Sequence, residues 1–139
     1  MDRQTRGEQN NNPGNIVRDT TMWLGMLKEV EHTDPHFCQF DSAVHGIRAL
    51  CRILITYQRL DGCKTLADVI RRWAPPSEND TDSYLKDVSE RTALAPDQPI
   101  DFTSASELAT VARAIIIHEN GRCIYDADLI NRAANMALT

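Results

Sequence analysis

The chain has 139 residues, of which 42% are hydrophobic and 25% are charged. This is the ordinary composition of a soluble globular protein, and we expect a single domain over residues 1–139. The net charge of −5 disfavours nonspecific binding to nucleic acid. No apolar run reaches the roughly 18 residues that a membrane span needs, so membrane insertion is not expected. The first residues lack the apolar segment of a secretory signal peptide.

Residues 7–16 have the least regular composition in the chain. They include four asparagines, two glycines, a proline and Glu8. Asparagine and glycine tolerate left-handed backbone angles and proline fixes its own, so we expect a turn-rich loop after a frayed polar end over residues 1–6. Amide groups both donate and accept. The loop is therefore either a rigid brace bound to neighbouring backbone or a binding surface for a ligand rich in hydroxyls and acetamides, such as a glycan. The candidate glycan-binding residues are Asn10, Asn12 and Asn15.

The next region favours extended structure. Residues 20–26 and 36–40 are aromatic and β-prone, and a polar stretch separates them. This pattern predicts a small hairpin or a pair of extended segments. Because an isolated hairpin is marginal in water, it must pack against the rest of the domain.

Five helices are predicted for the remainder, which makes the fold mainly α. Hydrophobic spacing and capping residues give their positions. The first helix covers about residues 42–60, the second runs from a cap at Thr65 to just before Pro75, and the third covers about 81–92. The fourth runs from a cap at Thr103 or Ser104 to Asn120, and the fifth follows a cap at Asp126. The first should be the most buried, with Ile47, Leu50 and Leu54 in the core. Gly46 within it suggests close approach of another backbone.

No metal or cofactor is expected from the sequence. The four cysteines form no CxxC pair, and their spacing fits no zinc pattern, so free and mostly buried thiols are predicted. The four histidines include no i,i+4 pair on one helix. His118, near the end of a helix, is interpreted as a favourable partner of the helix dipole.

Glu8 is the first candidate for catalysis. A carboxylic acid protonates a glycosidic oxygen when burial raises its pKa, and we expect that raised pKa for Glu8; the alternative is an ordinary solvated glutamate. A glycosidase commonly needs a second carboxylate. The sequence leaves that choice open among Asp19, Glu29, Glu31 and Asp34, or a water positioned by Thr20 and Thr21.

A second unusual stretch spans residues 73–81. Trp73 and the prolines that follow it could form the wall of a sugar groove, with Glu78 and Asn79 on its rim. The alternative is a rigid connection between helices, with Trp73 in the core and Asp80 as a helix cap.

The longest sequence motifs resemble one phage family. Residues 6–16, with the sequence RGEQNNNPGNI, are similar to the RGERNNNPGNI opening of the phage and prophage family labelled structural or virion protein P5. The resemblance continues through Trp23-Leu24-Gly25, the stretch RWAPPSENDT at 72–81 and IIHENG at 116–121, and so spans almost the whole chain. A shorter similarity links residues 11–40 to the NNLFGIK…W-x-G…F region of bacterial glucosaminidases.

These resemblances imply a lysozyme-like α+β fold and a phage enzyme that cleaves the β-1,4 linkages of peptidoglycan, as a muramidase, glucosaminidase or lytic transglycosylase. Glu8 would be the general acid, although the glucosaminidases carry their catalytic glutamate further upstream, within a helix. The expected partners are glycan strands and other virion proteins. The expected location is the virion or the host cytoplasm, with action in the periplasm. The alternative is a non-catalytic virion or wall-binding protein. If Glu8 is structural, Glu78 and Glu119 are the next carboxylates to consider.

Overall fold

The computed structural model describes residues 3–139. Within them the chain forms α1 (Arg6–Gln9), α2 (Ala43–Arg59), α3 (Leu66–Trp73), α4 (Thr81–Thr92), α5 (Ala105–Asn120) and α6 (Ala127–Ala137), with a 3-10 helix over Glu29–Glu31. The fold is mainly helical. The five long helices agree with the predicted ones to within a residue or two at each end.

Side-chain caps begin the long helices where the sequence placed them. Thr65 and Asp68 form a capping box at α3, and the Asp80 and Asp126 carboxylates accept from the backbone of α4 and α6. Ser104, rather than Thr103, caps α5. Each cap satisfies backbone donors that have no partner inside the helix, which is why these residue types mark helix starts so well.

The predicted N-terminal hairpin is wrong. Within the described residues this region contains only isolated antiparallel bridges, Val17 with Phe37 and Met26 with Phe40. The reason is that side chains occupy the backbone donors that would extend the first bridge into a ladder: Asn12 Oδ1 accepts from the Ile16 N–H at 3.0 Å, and the Asp34 carboxylate accepts from the His36 N–H at 2.9 Å. The segment is therefore extended and irregular rather than a β-element.

The start of the chain is more ordered than its composition suggests. Thr5 caps α1, and Glu8 reaches back to the Thr5 backbone in a capping box, so a single helical turn forms where the sequence predicted a loop and a frayed end. Residues 1–2 of that predicted frayed end lie outside the described part of the chain. The loop expected from the asparagines begins only at Asn10.

The core lies between α2, α5 and α6. The stripe of Ile47, Leu50 and Leu54 on α2 is fully buried, as predicted. The most extensive helix contacts join α2 to α6 and α5 to both α6 and α4. The expectation that α2 is the most buried helix is wrong, because α5 buries eight of its 16 residues and α2 seven of its 17. The central position of α5 places its C-terminal end, residues 118–120, beneath the asparagine loop.

Gly46 lets the asparagine loop contact α2 directly. A Cβ placed on Gly46 would lie 1.7 Å from the Asn11 carbonyl oxygen, a distance that no side chain tolerates. The predicted close approach of another backbone is confirmed. This contact fixes the loop against the helix that forms one side of the cleft described below.

All four cysteines are free thiols, and burial raises the pKa of Cys51 to about 12. No helix among the described residues combines the length and apolar character required to cross a bilayer.

Candidate functional site

Glu8 is buried in an ion pair rather than exposed to a ligand. Arg122 donates from Nη2 to Oε1 at 2.8 Å and from Nε to Oε2 at 3.0 Å, and the Thr5 backbone N–H donates to Oε1 at 2.9 Å. The Glu8 side chain is 1% exposed. Its donors come from the start of α1 and from the turn after α5, so this carboxylate joins α1 to that turn.

The predicted rise in the pKa of Glu8 is therefore wrong. The hydrogen bonds from Arg122 hold the pKa of the Glu8 carboxyl below its usual value, and the opposing effect of burial is outweighed. A carboxyl that is ionised and fully hydrogen-bonded is a poor proton donor at neutral pH. Glu8 has the geometry of a structural anchor.

Two of the three candidate asparagines also serve the fold. Asn10 donates to Asp34 Oδ2 at 2.8 Å, and Asn12 donates to the carbonyls of Ile16 and Cys38 at 3.0 and 2.9 Å. Asn12 also accepts from the backbone N–H of Ile16. Both side chains are buried with these partners, Asn12 completely. Asn10 and Asn12 therefore hold the loop rigid through bonds to neighbouring protein groups, and their amides do not form a glycan-binding surface.

None of the other carboxylates proposed as a second catalytic group lines a cavity with Glu8. Arg6 donates two hydrogen bonds of 2.7 Å to the Asp34 carboxylate, and this contact holds the pKa of Asp34 far below its usual range. Glu29 pairs with Arg18 at the surface. Asp19 and Glu31 accept hydrogen bonds from nearby backbone, from Thr21 and Lys28. Thr20 and Thr21 are exposed and do not reach the cleft.

The remaining candidates meet in one cleft of about 270 Å³. It lies between the asparagine loop, α2, the α3–α4 connection and the end of α5. We call this feature the cleft; the side chains that define it are Asn15, Tyr57, Trp73, Glu78, Asn79 and Glu119. Four of these six were predicted as binding residues. The volume is near the lower end of the roughly 300–1,000 Å³ of small-molecule sites, which fits part of a longer ligand.

The rim of the cleft is set by a tight turn. The Pro75 carbonyl accepts from the backbone N–H of Glu78 and Asn79 at 3.0 and 3.1 Å. Thr81 Oγ1 donates to the Ala74 carbonyl at 2.5 Å and holds the other side of the turn. Glu78 and Asn79 are consequently exposed on a rigid support at the edge of the cleft. Trp73 is half-buried and lies between the core and the cleft. It therefore packs on the core, as one interpretation predicted, and also lines the cleft, as the other predicted.

Glu119 is a carboxylate of the cleft that hydrogen bonds from Asn15 and Tyr84 hold in place. Its Oε1 accepts from Asn15 Nδ2 at 3.0 Å, and its Oε2 accepts from the Tyr84 hydroxyl at 2.7 Å. The same hydroxyl accepts from Trp73 Nε1 at 3.0 Å. Burial, and then the charge of Glu119, raise the pKa of Tyr84 far above its usual value, so the hydroxyl remains a donor to Glu119. Trp73, Tyr84 and Glu119 form a fixed polar chain behind the aromatic wall.

The neighbours of Glu119 on α5 anchor the surrounding elements. His118 Nδ1 lies 2.8 Å from Asp87 Oδ2, and its ring packs on Tyr84 with centroids 3.7 Å apart. Asn120 accepts from Thr5 Oγ1 at 2.6 Å and donates to the Pro13 carbonyl at 2.8 Å. Three consecutive residues thus tie α4, the cleft and the asparagine loop to one helix end.

The sequence reasoning missed Tyr57 and Tyr84 as site residues and ranked Glu119 behind Glu8. Both tyrosines recur at helical spacing with the apolar residues of their helices, and this spacing predicts a core position rather than a site residue. Glu119 sits in the His118-Glu119-Asn120-Gly121 helix end. A run of polar side chains immediately before a helix stop was the available signal.

The described residues include no cluster of His, Cys, Asp and Glu suited to a metal ion. The cleft therefore offers aromatic faces, amides and two carboxylates, Glu78 and Glu119. This set of groups suits a neutral, hydroxyl-rich ligand.

Comparison with known proteins identifies the relatives of the chain. No family model matches it. It is 38% identical over 130 residues to protein P5 of Pseudoalteromonas phage PM2, in an alignment that covers 91% of this chain and 78% of the phage protein. The chain belongs to the family of phage PM2 protein P5.

Proposed function

We propose that this protein is a virion-associated component that binds the glycan strands of peptidoglycan in the cleft. The observation that supports the proposal best is the combination of groups there: the aromatic rings of Tyr57 and Trp73, the amides of Asn15 and Asn79, and the carboxylate of Glu119. Aromatic rings stack on the apolar faces of sugars. Amides and carboxylates bind hydroxyl and acetamide groups, which glycan strands present at every residue.

Virion association is the proposal's second element. The relative described above, protein P5 of phage PM2, is a phage protein, and a phage protein meets the bacterial wall when the particle enters or leaves the cell. A glycan-binding cleft on such a particle would attach it to that wall. Other virion proteins are the expected neighbours in this arrangement.

Binding is tested by sedimentation of the protein with purified peptidoglycan sacculi. Asn79→Ala and Glu78→Gln change exposed rim residues that have little role in packing, so the fold should survive both. Each should weaken sedimentation if the cleft is the binding site. Glu90→Gln is the matched control, because Glu90 is an exposed glutamate on α4 that does not line the cleft. Equal sedimentation of the cleft variants and the control would exclude the cleft.

Cleavage of the β-1,4 linkage, by hydrolysis or by transglycosylation, is the second candidate function. The observation that favours it is the presence of two carboxylates in the cleft, because a glycosidase uses one as an acid and the other to stabilise or attack the sugar centre. Glu119, fixed by Asn15 and Tyr84, suits the second role. Glu78 is the other carboxylate that lines the cleft, exposed at its rim. The earlier assignment of the acid role to Glu8 conflicts with its ion pair.

Release of soluble fragments from dye-labelled sacculi separates the two candidates. An active enzyme should release dye, and Glu119→Gln should reduce the release by about a hundredfold or more, the effect expected for a positioned catalytic carboxyl. Glu8→Gln should leave the specific activity of the folded fraction unchanged. Sedimentation with sacculi without any dye release would leave wall binding as the function.

A further inference from the structure

A second charged surface lies on α2, away from the cleft. Arg48, Arg52 and Arg59 follow one another at spacings of four and seven residues, which place them on the same face of an α-helix. We call this set the arginine face. The α2 residues that contact the cleft, Ile53 and Tyr57, lie on a different side of the helix. The arginine face is thus independent of the cleft.

The three arginines have no carboxylate partner among residues 3–139. Arg52 donates from Nη1 to the Ala137 carbonyl at 2.8 Å, a contact that leaves most of its donors available. None of the three takes part in an ion pair within the described chain. Like charges at i and i+4, as at Arg48 and Arg52, disfavour the helix. A chain of net charge −5 therefore concentrates unpaired positive charge at one place on its surface.

A groove with a largely apolar lining adjoins two of these arginines, Arg52 and Arg59. The groove has a volume of about 300 Å³ and runs between α2, the segment before α5 and the end of α6; Arg52, Arg59, Ile55, Phe102 and Leu138 line it. A second cavity shares Arg52 and Arg59 and continues to Leu60. Leu60, at the C-terminal end of α2, is 78% exposed and so presents an apolar side chain beside this cavity.

We propose that the arginine face and this groove form a docking surface for an acidic peptide segment of a partner protein. The carboxylates of the segment would bind the guanidinium groups, whose donor fork matches a carboxylate in two parallel hydrogen bonds. An apolar side chain of the segment would fill the groove, and another would cover Leu60. Charge complementarity and the concave apolar lining together favour a peptide over a flat lipid surface, which would leave the groove unfilled.

The proposal is tested by fluorescence anisotropy of a short labelled peptide in which aspartate alternates with leucine, added to the full chain. The peptide should bind, and its affinity should fall as the salt concentration rises. The double variant Arg48→Gln/Arg59→Gln should weaken binding by about tenfold or more, which corresponds to the loss of about 1.4 kcal/mol. Neither side chain makes a hydrogen bond within the described part of the chain, so the fold should be retained, and a circular dichroism melt checks this.

Arg113→Gln provides the matched control. Arg113 is an exposed arginine on α5 with no ion pair among the described residues, so the substitution changes the charge in the same way at another site. It should alter the affinity by less than about twofold. A companion peptide with asparagine in place of aspartate should not bind.

Three results would overturn the proposal. These are no binding of the acidic peptide, an equal loss of affinity in the Arg113 variant, or binding of vesicles containing phosphatidylglycerol under conditions in which the peptide does not bind. The last result would assign the arginine face to an anionic membrane surface. Because these variants lie outside the cleft, sedimentation with sacculi should be unchanged, which separates this test from that of the proposed function.

Discussion

Arg122 holds the Glu8 carboxylate with two hydrogen bonds, of 2.8 and 3.0 Å, across 114 positions of sequence. The pair connects α1 to the turn that follows α5, and so closes the asparagine loop over the end of α5. A carboxylate bound in this way contributes to folding rather than to proton transfer.

Glu8→Gln should accordingly destabilise the protein. The glutamine lacks the charge that pairs with Arg122, and the partly buried guanidinium loses an ionic acceptor. The expected loss in the free energy of unfolding is about 1–3 kcal/mol, measured by urea denaturation. Glu90→Gln, an exposed change of the same chemistry, should be near neutral. An unchanged stability of Glu8→Gln would mean that the ion pair contributes nothing net.

The same carboxylates predict acid sensitivity. The pKa values of Glu8 and Asp34 are lowered in the folded protein by their arginine partners, Arg122 and Arg6. A lowered folded-state pKa gives stability that is present above the unfolded-state value and lost as the pH falls toward the folded-state value. The free energy of unfolding should therefore decline below about pH 5, where unfolded carboxylates begin to bind protons. Asp34→Asn should flatten this decline in urea melts recorded across the acid range, and an unchanged slope would contradict the assignment.

Gly46→Ala should be strongly destabilising. Replacing a glycine within a helix by alanine usually raises the free energy of unfolding by about 0.5–1 kcal/mol, so a stabilising effect would be the ordinary expectation. Here the added Cβ would lie 1.7 Å from the Asn11 carbonyl oxygen, and the asparagine loop would have to move away from α2. A thermal melt of the variant should show a large decrease in Tm. A Tm equal to or above that of the parent would mean that the loop does not rest on α2.

Leu50→Ala should cost about 2–5 kcal/mol of unfolding free energy, because Leu50 is fully buried at the centre of α2 and its truncation leaves a cavity. Leu60→Ala, at the C-terminal end of the same helix, is the matched control. Since Leu60 is 78% exposed, its truncation should change the stability little. Equal effects of the two substitutions in urea denaturation would contradict the described burial of α2.

Local chemistry made much of the fold predictable from sequence. Ser104, Asp80 and Asp126 mark helix starts because a short polar side chain is the group that satisfies the first backbone donors of a helix. The error at residues 20–40 arose from long-range contacts. Nothing in a β-prone pattern reveals that Asp34 takes the backbone N–H of His36, two residues further along the chain, or that Arg6 and Asn10 hold Asp34 in place.

The candidate site was predictable where its residues lie in a stretch of unusual local composition, as Asn15 does in the asparagine loop. Trp73, Glu78 and Asn79 lie on one unusual stretch, and the structure places all three in the cleft. Glu119 is fixed by Asn15 and Tyr84, which are 104 and 35 positions away, and no local pattern connects them. Glu8 drew attention by its place among the asparagines, but its partner Arg122 lies 114 positions further along the chain.

Binding of glycan in the cleft is tested most directly by calorimetric titration of soluble peptidoglycan glycan strands into the parent protein and into Asn79→Ala, Glu119→Gln and Glu90→Gln. The parent and Glu90→Gln should bind the strands, and the two cleft variants should bind them more weakly while remaining folded by circular dichroism. A parent protein that does not bind the strands, or cleft variants that bind them as well as Glu90→Gln does, would contradict the assignment of the cleft to a glycan.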